Sequence, residues 1–337
     1  MLGGLCAAGQ GLDRETIMNV GTNGTQGATD RPDPARLQER IRRERRLTLL
    51  INVRSRRGAT LHRLARASFE AQGWTVDAEY LVHDPAGELP ELLPRIAAEK
   101  PGLLVVGSGD GTVSHVVHHL AHSPTVLGYL PLGTTNNFGR SLGLPLRLPG
   151  AVGVITTGRV ADIDLGLVNG RYFANLVSIG ISGEVAGRTP HQLKRRLGRP
   201  AYAITGARTL VRHRPFTAEV RSGTTTWRVR THQLNVANGS MHAGTAIAAD
   251  ASLDDGLLMA YVLGGRSRAS TVRATVRQVL TPNHPSENKG YLLGADFTVS
   301  TDRPLPVDVD GEIIGSTPIE IQVVPEALRV MVPAAQA

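Results

Sequence analysis

The sequence has little of several features that would assign it to a common class of protein. It has one cysteine, Cys6, among 337 residues, which excludes an intrachain disulfide framework and a zinc site built from several cysteines. It has no run of about 18 continuous apolar residues, so no transmembrane helix is expected. It also lacks a basic start followed by an apolar segment, so no secretory signal is expected. Together these absences predict a protein of the reducing cytoplasm.

Aromatic residues are also scarce, at 4% of the chain. That is too few for the stacking platforms that hold single-stranded nucleic acid, so no nucleic-acid partner is expected. What the chain has instead is positive charge, because 37 Lys and Arg against 29 Asp and Glu give a net charge of +8. Such a charge suits an anionic membrane or a phosphorylated ligand, and charge that serves only solubility explains it equally well.

The first 46 residues are interpreted as a disordered or basic extension. Residues 1–30 are rich in Gly, Thr, Asn and Ala and show no periodicity, which is typical of disorder. The segment Ala35–Arg46 is almost entirely charged apart from Leu37 and Ile41. It fits either a short basic helix or a solvated lead-in to the first strand, and the solvated lead-in is favoured.

From residue 47 to about 157 the chain alternates between apolar strands and amphipathic helices. The predicted strands are Leu47–Val53, Thr75–Val82, Leu103–Gly107 and Val126–Leu130, and the predicted helices are Leu61–Gln72, Glu88–Lys100 and Val113–His122. This order predicts an α/β domain with a parallel sheet and helices on both faces. Ligands of such sheets bind at the carboxyl ends of the strands, so the loops after Val53, Val106 and Leu130 are the first candidates for a site.

Residues 158–337 have a different pattern. Short β-rich segments are separated by Gly, Asn and Asp turns, which predicts an antiparallel sandwich or barrel-like second domain. Two helical stretches, His191–Arg212 and Ser267–Leu280, interrupt it. The last strand or tail, about 316–337, either stays in this domain or packs back on the first one.

The strongest local feature is a glycine-rich turn between a strand and a helix. The segment Leu103–Thr112 has the sequence LLVVGSGDGT, and a helix follows at once. Glycines let backbone N–H groups approach a phosphate, and a helix N-terminus adds the positive end of a dipole. Asp110 is placed either to bind a magnesium-bridged phosphate or to position a hydroxyl. No Gly-Lys-Ser/Thr follows, so this is not a Walker A loop, and taken alone it fits a structural turn equally well.

A second loop of the same kind follows the next apolar strand. The segment Leu130–Pro145, LPLGTTNNFGRSLGLP, supplies Gly133, Thr134 and Asn136 before a short helix. The two loops are expected to lie side by side at the carboxyl edge of the sheet. The pair predicts a nucleotide cradle more strongly than either loop does alone.

These motifs resemble the diacylglycerol kinase catalytic-domain family, which includes bacterial diacylglycerol and multi-substrate lipid kinases and is related to sphingosine and ceramide kinases. The resemblance extends over about residues 47–333, through YFANLVSIG at Tyr172, LNVANG at Leu234, DDGLL at Asp254 and VDGE at Val309. It implies a Rossmann-like nucleotide domain of the NAD kinase and phosphofructokinase type, an antiparallel β-sandwich domain, and an active site in the cleft between them. It also implies an ATP- and Mg²⁺-dependent lipid kinase that most readily converts diacylglycerol to phosphatidic acid.

The resemblance assigns roles to individual residues of this sequence. The implied ATP-binding residues are Asn52, Ser55, Gly107, Ser108, Gly109, Asp110, Gly111, Thr112, Gly133, Thr134 and Asn136. Asp255, with carbonyl oxygens near Ser252 and Leu257, matches a Mg²⁺ site that is chiefly structural in this family. A simple Asp-Gly turn explains that segment equally well.

The resemblance places the catalytic carboxylates in the D-G-E segment. Glu312 matches the general-base position, and Asp310 and Asp110 are rivals for the same role. Phosphoryl transfer requires held phosphates, neutralised charge and a hydroxyl aimed in line, and a carboxylate can take the hydroxyl proton. Asp-Gly is also a strong hairpin signal, and both interpretations can hold together.

The sequence departs from the family pattern around the predicted nucleotide site. Val53 replaces the Pro that follows the loop asparagine, Arg56 and Arg57 stand where small residues are usual, and Asn137 stands where Asp is common. Extra guanidinium groups can bind phosphate directly. These departures bear on the acceptor and on whether activity is retained.

Four histidines fall on the predicted helix after the first glycine loop. His115, His118, His119 and His122 have i, i+3 and i+4 spacing, which a metal site would use. Histidines on the polar face of a surface helix are the favoured interpretation.

A basic cluster suggests how a lipid substrate would be reached. Lys194, Arg195, Arg196 and Arg199 fall within one predicted helix. Such clusters gain about 1 kcal/mol per residue near an anionic leaflet, which predicts peripheral, salt-sensitive attachment to the inner face of the membrane. A solvated basic face is an equal alternative, and a homodimer is left open.

Three other functions remain as alternatives. The first is a sphingosine- or ceramide-type lipid kinase. The second is a soluble kinase of the NAD kinase type, which shares a Gly-Asp-Gly turn on a related fold. The third is a lipid-binding or regulatory protein that has lost catalysis.

Overall fold

The structure is a computed structural model that describes residues 33–181, 213–239, 241–242, 245–246, 253–262 and 291–334. The helices in these ranges are α1 Pro34–Glu44, α2 Gly58–Glu70, α3 Pro85–Glu99, α4 Asp110–Leu120, α5 Asn137–Ser141 and α6 Leu148–Thr157. The first nine strands are β1 Arg46–Asn52, β2 Thr75–Val82, β3 Leu103–Ser108, β4 Val126–Pro131, β5 Arg159–Val168, β6 Arg171–Phe173, β7 Leu176–Gly180, β8 Phe216–Ser222 and β9 Thr225–Thr231. The others are β10 Gln233–Ala237, β11 Met241–His242, β12 Thr245–Ala246, β13 Leu258–Val262, β14 Tyr291–Gly294, β15 Asp296–Thr301, β16 Pro306–Val309, β17 Glu312–Ser316 and β18 Ile319–Val332.

A parallel sheet forms the N-terminal half, with its strands in the order β2-β1-β3-β4. Every residue of β3 and β4 is buried, because helices cover both faces of the sheet. Such double coverage explains why these strands are continuous apolar runs rather than alternating ones. Helices α3 and α4 contribute to the core on one face, and α1, α2 and α6 contribute to the core on the other. The carboxyl ends of β1, β3 and β4 therefore meet at one edge.

The C-terminal strand β18 continues this first sheet. Near its end it pairs in parallel with β4, at Val330 and Leu127, and it pairs antiparallel with β5 along its length. A register shift between Val324 and Leu328 interrupts the pairing with β5. The first part of β18 pairs with β15, which leads on to β8 and β9. The last strand thus links the parallel part of the fold to the antiparallel part.

The antiparallel half has a second sheet in the order β14-β13-β10-β7-β16-β17. Side chains from this sheet and from β8, β15 and the start of β18 form one core. Phe173, Phe216 and Phe297 are at most 1% exposed within it. The fold class is therefore a parallel α/β domain followed by an antiparallel β-sandwich, as the sequence predicts.

Helix α1 corrects the expectation of a disordered extension for the segment before β1. Leu37 and Ile41 lie on one helical face, four residues apart, and both are only 3% exposed. Arg42 Nη2 donates hydrogen bonds to the carbonyls of Thr157 and Gly158 at 2.9 and 2.8 Å. Two buried apolar residues and one guanidinium dock a helix that is otherwise mostly polar. Residues 1–32 lie outside the described residues.

Several element boundaries also differ from the sequence pattern. Helix α4 begins at Asp110 rather than Val113, and α2 begins at Gly58 rather than Leu61, because small and polar loop residues form their first turns. The β-rich stretch Thr225–Ala237, which reads as one segment in the sequence, is two strands in different sheets. The turn between them is closed by the Gln233 N–H, which donates to Thr231 Oγ1 at 3.1 Å. The predicted helices 191–212 and 267–280 lie outside the described residues.

Candidate active site

The loop after β3 leads directly into the first turn of α4. Gly109 precedes the helix in an extended conformation, and no side chain caps the helix. The first backbone N–H groups of a helix have no intrahelical acceptor, and they attract anions. A Cβ on Gly133 would lie 2.6 Å from Cα of Gly109, so the loops after β3 and β4 pack backbone against backbone. A Cβ on Gly111 would meet nothing within 4 Å, so open space lies beside this turn. The pair of loops has the shape of a phosphate cradle.

Two of the predicted phosphate-loop residues lie beneath this cradle. Gly107 lies within strand β3, where a Cβ would collide with Ile51 and Leu132. Ser108 is fully buried, and its Oγ donates a hydrogen bond to the carbonyl of Gly109 at 3.1 Å. These two residues therefore pack beneath the loop and fix its shape.

Asp110 connects the two glycine loops. Its Oδ2 accepts a hydrogen bond from Thr135 Oγ1 at 2.7 Å, and its Oδ1 accepts one from the Phe138 N–H at 3.1 Å. The carboxylate thus lies at the N-termini of α4 and α5 together, where negative charge is favourable. Asp110 holds the second loop against the first.

Asn52 connects the loop after β1 to the same helix. Its Nδ2 donates to Thr112 Oγ1 at 2.8 Å, and both side chains are buried. Its Oδ1 accepts from the Arg54 N–H at 2.9 Å, and its carbonyl accepts from Ser55 Oγ at 2.7 Å. Asn52, Ser55 and Thr112 therefore form one hydrogen-bonded unit that fixes the first loop beside α4.

The arginines of the loop after β1 differ in their roles. Arg57 Nη2 donates to the carbonyls of Pro131 and Leu146 at 2.6 and 3.0 Å. It therefore braces the loop after β4. The Arg56 side chain is exposed to solvent.

Asn136 shapes the second glycine loop from inside. It is 2% exposed and has a left-handed backbone, with φ 49°. Its Oδ1 accepts hydrogen bonds from the Gly133 N–H at 2.8 Å and from Tyr129 Oη at 3.3 Å. Thr134 is exposed at the tip of this loop. Among the predicted ligand-binding residues of this loop, Gly133, Thr134 and Asn136, Thr134 has the exposed side chain that can contact a ligand.

Asp310 occupies the turn between β16 and β17. Its two oxygens accept hydrogen bonds from the backbone N–H groups of Ala174, Asn175 and Leu176 at 3.1, 3.2 and 2.9 Å. Burial and, to a smaller extent, the negative charge of Asp110 nonetheless raise its pKa from the ordinary 3.8 to about 6.

Glu312 lies two residues further along and contacts α4 directly. Its Oε1 is 2.6 Å from His115 Nε2, and its Oε2 is 2.6 Å from Arg171 Nη2. The hydrogen bond from His115 and the positive charges of His115 and Arg171 hold the pKa of Glu312 below its usual range. Its side chain is 41% exposed, so an ionised carboxylate is presented beside the cradle. Nothing in the sequence pattern pointed to Arg171, and His115 appeared only as one of four helical histidines.

The histidines of α4 face the neighbouring strand β6. The Tyr172 N–H donates to His118 Nδ1 at 3.3 Å, and His122 Nε2 lies 3.1 Å from Tyr172 Oη. Burial lowers the pKa of His118 and of His119, and the charge of Arg171 lowers both further. His115, His118 and His119 lie on the polar face of α4, as the favoured interpretation has it, and all three are half-buried. Within the described ranges, no group of three or more His, Cys, Asp or Glu residues could hold a metal ion.

The predicted magnesium site falls partly outside the described residues, because Ser252 does. Asp255 Oδ1 accepts a hydrogen bond from the Leu257 N–H at 3.0 Å, which closes a local turn. The Gly256 N–H donates to Asp164 Oδ2 at 2.8 Å. Burial raises the pKa of Asp164, and the charges of Asp255 and Asp254 add to this effect. Carboxylate and carbonyl oxygens are ligands that Mg²⁺ prefers, and the magnesium site stays a prediction.

Known proteins share both halves of this architecture. Residues 46–168 match the diacylglycerol kinase catalytic domain, and residues 175–332 match the YegS C-terminal NAD kinase beta sandwich-like domain. A protein of Serratia proteamaculans named "Probable lipid kinase YegS-like" is 31% identical over 238 residues, which are 68% of this chain and 76% of that protein. A protein of Staphylococcus saprophyticus named "Diacylglycerol kinase" is 28% identical over 77% of this chain and 83% of its own length.

One further relative is longer than this chain, and one solved structure has the same fold. The protein sll0036 of Synechocystis is 29% identical over 76% of this chain, and the match spans only 61% of that longer protein. A crystal structure of a diacylglycerol kinase from Bacillus anthracis superposes with a TM-score of 0.68 at 22% identity, over 86% of this chain and 98% of that one. No helix in the described ranges is long and apolar enough to cross a membrane. The chain belongs to the diacylglycerol kinase catalytic-domain family of lipid kinases.

Proposed function

We propose that this protein transfers the γ-phosphoryl group of ATP to a hydroxyl group of a lipid, and that diacylglycerol is the acceptor. One observation supports this most directly. An ionised carboxylate, Glu312, contacts the helix whose N-terminus forms the phosphate cradle, through His115 at 2.6 Å. A phosphate-binding element and a group that can receive a hydroxyl proton are thus provided by opposite halves of the fold.

The donor side of the reaction is assigned to the two glycine loops. Backbone N–H groups of Gly109–Thr112 would receive the phosphates, and the open space beside Gly111 leaves room for them. The hydrogen bonds of Asn52 and Asp110 hold the loops after β1, β3 and β4 together. Mg²⁺ bound with the nucleotide would supply the positive charge that phosphoryl transfer requires.

The acceptor side is assigned to Glu312. Its carboxylate would accept the hydrogen of the lipid hydroxyl and so point the oxygen at the phosphorus. As the bond between the hydroxyl oxygen and the γ-phosphorus forms, the bond from the γ-phosphorus to ADP would break, the proton would pass to Glu312 and ADP would leave. Asp310 is the weaker candidate for this role, because three backbone N–H groups already occupy its oxygens.

The choice of diacylglycerol over other acceptors is supported by the names of relatives such as the Staphylococcus saprophyticus protein. We further propose that the acceptor is collected at an anionic membrane surface, in line with the net charge of +8.

A panel of acceptors tests the substrate. Purified protein, Mg²⁺ and labelled ATP would be supplied with diacylglycerol, sphingosine or ceramide in mixed micelles, and separately with NAD. Labelled phosphatidic acid formed faster than any other product is the expected result. Label in NADP alone would replace the proposal with an NAD kinase, and label in a sphingoid product alone would replace the acceptor. ATP binding with no labelled product in any arm would favour a non-catalytic protein.

A further inference from the structure

The carboxylate of Glu312 has one nitrogen donor on each of its oxygens, the His115 imidazole on Oε1 and the Arg171 guanidinium on Oε2. His115 comes from α4 and Arg171 comes from β6, so two elements distant in sequence converge on a residue of β17. Each contact is 2.6 Å long, at or just below the short distances that charge-assisted hydrogen bonds have. The carboxylate therefore has a defined position and orientation beside the first turns of α4.

Stability alone does not explain this arrangement. The Arg171 side chain is 23% exposed, and its Nε is buried without an acceptor in the part of the chain that the structure describes. A buried donor without a partner costs more than a partly exposed ion pair returns. Groups that are retained at such a cost are expected at functional sites.

We propose that His115 and Arg171 are positioning residues that keep Glu312 ionised and aimed at the acceptor hydroxyl. This inference rests on the proposed function, since it needs Glu312 to act on a hydroxyl. His115 also lies one and a half turns from Asp110 on α4, so one helix aligns both the phosphate cradle and the carboxylate.

Other charged groups also face this cluster. His118 and His119 approach from α4, and Asp110, Asp308 and Asp310 approach from the phosphate loop and the D-G-E turn. Burial favours a protonated Glu312, and the hydrogen bonds and positive charges of His115 and Arg171 oppose this effect. Removal of either cation therefore shifts the balance toward protonation.

The test measures kcat/KM for lipid phosphorylation against pH in Arg171→Met and His115→Leu. Loss of a cation destabilises the Glu312 anion, so more alkaline conditions are needed to ionise it. The acid limb of the profile should move upward by about 1 pH unit, the lower end of what an adjacent opposite charge achieves. Arg171→Lys and His115→Gln, which keep a donor, should recover most of the activity at the optimum. His119→Gln, on the same helix without a contact to Glu312, should leave the limb in place.

The outcomes separate this inference from the proposed function. An active wild-type protein whose acid limb is unmoved in Arg171→Met, with activity reduced equally at all pH values, would overturn the inference alone. A wild-type protein that phosphorylates no lipid would overturn the proposed function and this inference with it. Thermal melting of each variant identifies any that fails to fold, and the lysine and glutamine variants then decide the question.

Discussion

Asp310 is held by three backbone N–H groups and yet keeps its proton to a higher pH than an ordinary aspartate does. The hydrogen bonds lower its pKa, but burial outweighs them and raises it to about 6. A group whose pKa is raised by folding binds its proton more tightly in the folded state. The stability gained from this proton is complete below the unfolded pKa and is lost as the pH rises to about 6.

Replacing Asp310 with Asn removes this titration. The free energy of unfolding of the wild-type protein, relative to Asp310→Asn, should fall by up to about 3 kcal/mol between about pH 4 and pH 6.5. Urea denaturation at several pH values measures it. Asp296→Asn, at an exposed aspartate, is the control. A difference between wild type and Asp310→Asn that does not change with pH would contradict the assignment.

At the scale of residues, sequence and structure contribute different parts of the site. Asn52, Asp110 and Glu312 stand out in the sequence because each lies in a short motif next to a strand. His115 and Arg171 do not, because their pairing with Glu312 arises only when α4, β6 and β17 pack together. The partners that set the charge of a site are tertiary contacts, which no local pattern contains.

At the scale of elements, the two glycine loops depend on direct backbone contact. In Gly133→Ala the new Cβ would lie 2.6 Å from Cα of Gly109 and would push the loops apart. We expect a loss of about 1–3 kcal/mol in the free energy of unfolding and at least tenfold weaker ATP binding. Gly153→Ala in α6, where a Cβ meets nothing within 4 Å, should leave ATP affinity unchanged. Calorimetric titration with ATP measures the difference, and unchanged affinity in Gly133→Ala would refute the cradle.

The sequence pattern predicts helix α1 poorly. Leu37 and Ile41 are the only large aliphatic residues of this highly charged helix, so its composition indicates a solvated segment although both side chains are buried. Leu37→Ala should lower the free energy of unfolding by about 2–5 kcal/mol. Leu64→Ala, at a leucine that is 52% exposed on α2, should change it by less than about 0.5 kcal/mol. Equal effects in urea denaturation would show that α1 is not docked.

The strands and layers were more predictable than this helix, for a physical reason. Strands buried on both faces need continuous apolar runs, and β3 and β4 have them. The sequence did not predict which strands pair with β18, because an apolar pattern carries no information about the pairing partner. Its pairing with both β4 and β5 is decided by the closure of the whole sheet.

At the scale of the whole molecule, the net charge of +8 bears on how a lipid is reached. We expect the protein to cosediment with vesicles of phosphatidylcholine and 30% phosphatidylserine at low salt. About 0.5 M NaCl should release most of it, because screening shortens the Debye length below 5 Å. Vesicles of phosphatidylcholine alone are the control. Binding that depends on neither anionic lipid nor salt would contradict peripheral electrostatic attachment.

The central claim is that one site, formed by both halves of the fold, phosphorylates a lipid. The most direct test follows labelled γ-phosphate from ATP into a total membrane lipid extract, with ATP affinity measured alongside. The wild-type protein should label a lipid, whereas Glu312→Gln should bind ATP equally well and label it about 10²–10⁴-fold more slowly. Glu320→Gln, at an exposed glutamate of β18, should match the wild type. A wild-type protein that binds ATP and labels no lipid, or a Glu312→Gln variant as active as the wild type, would contradict the account.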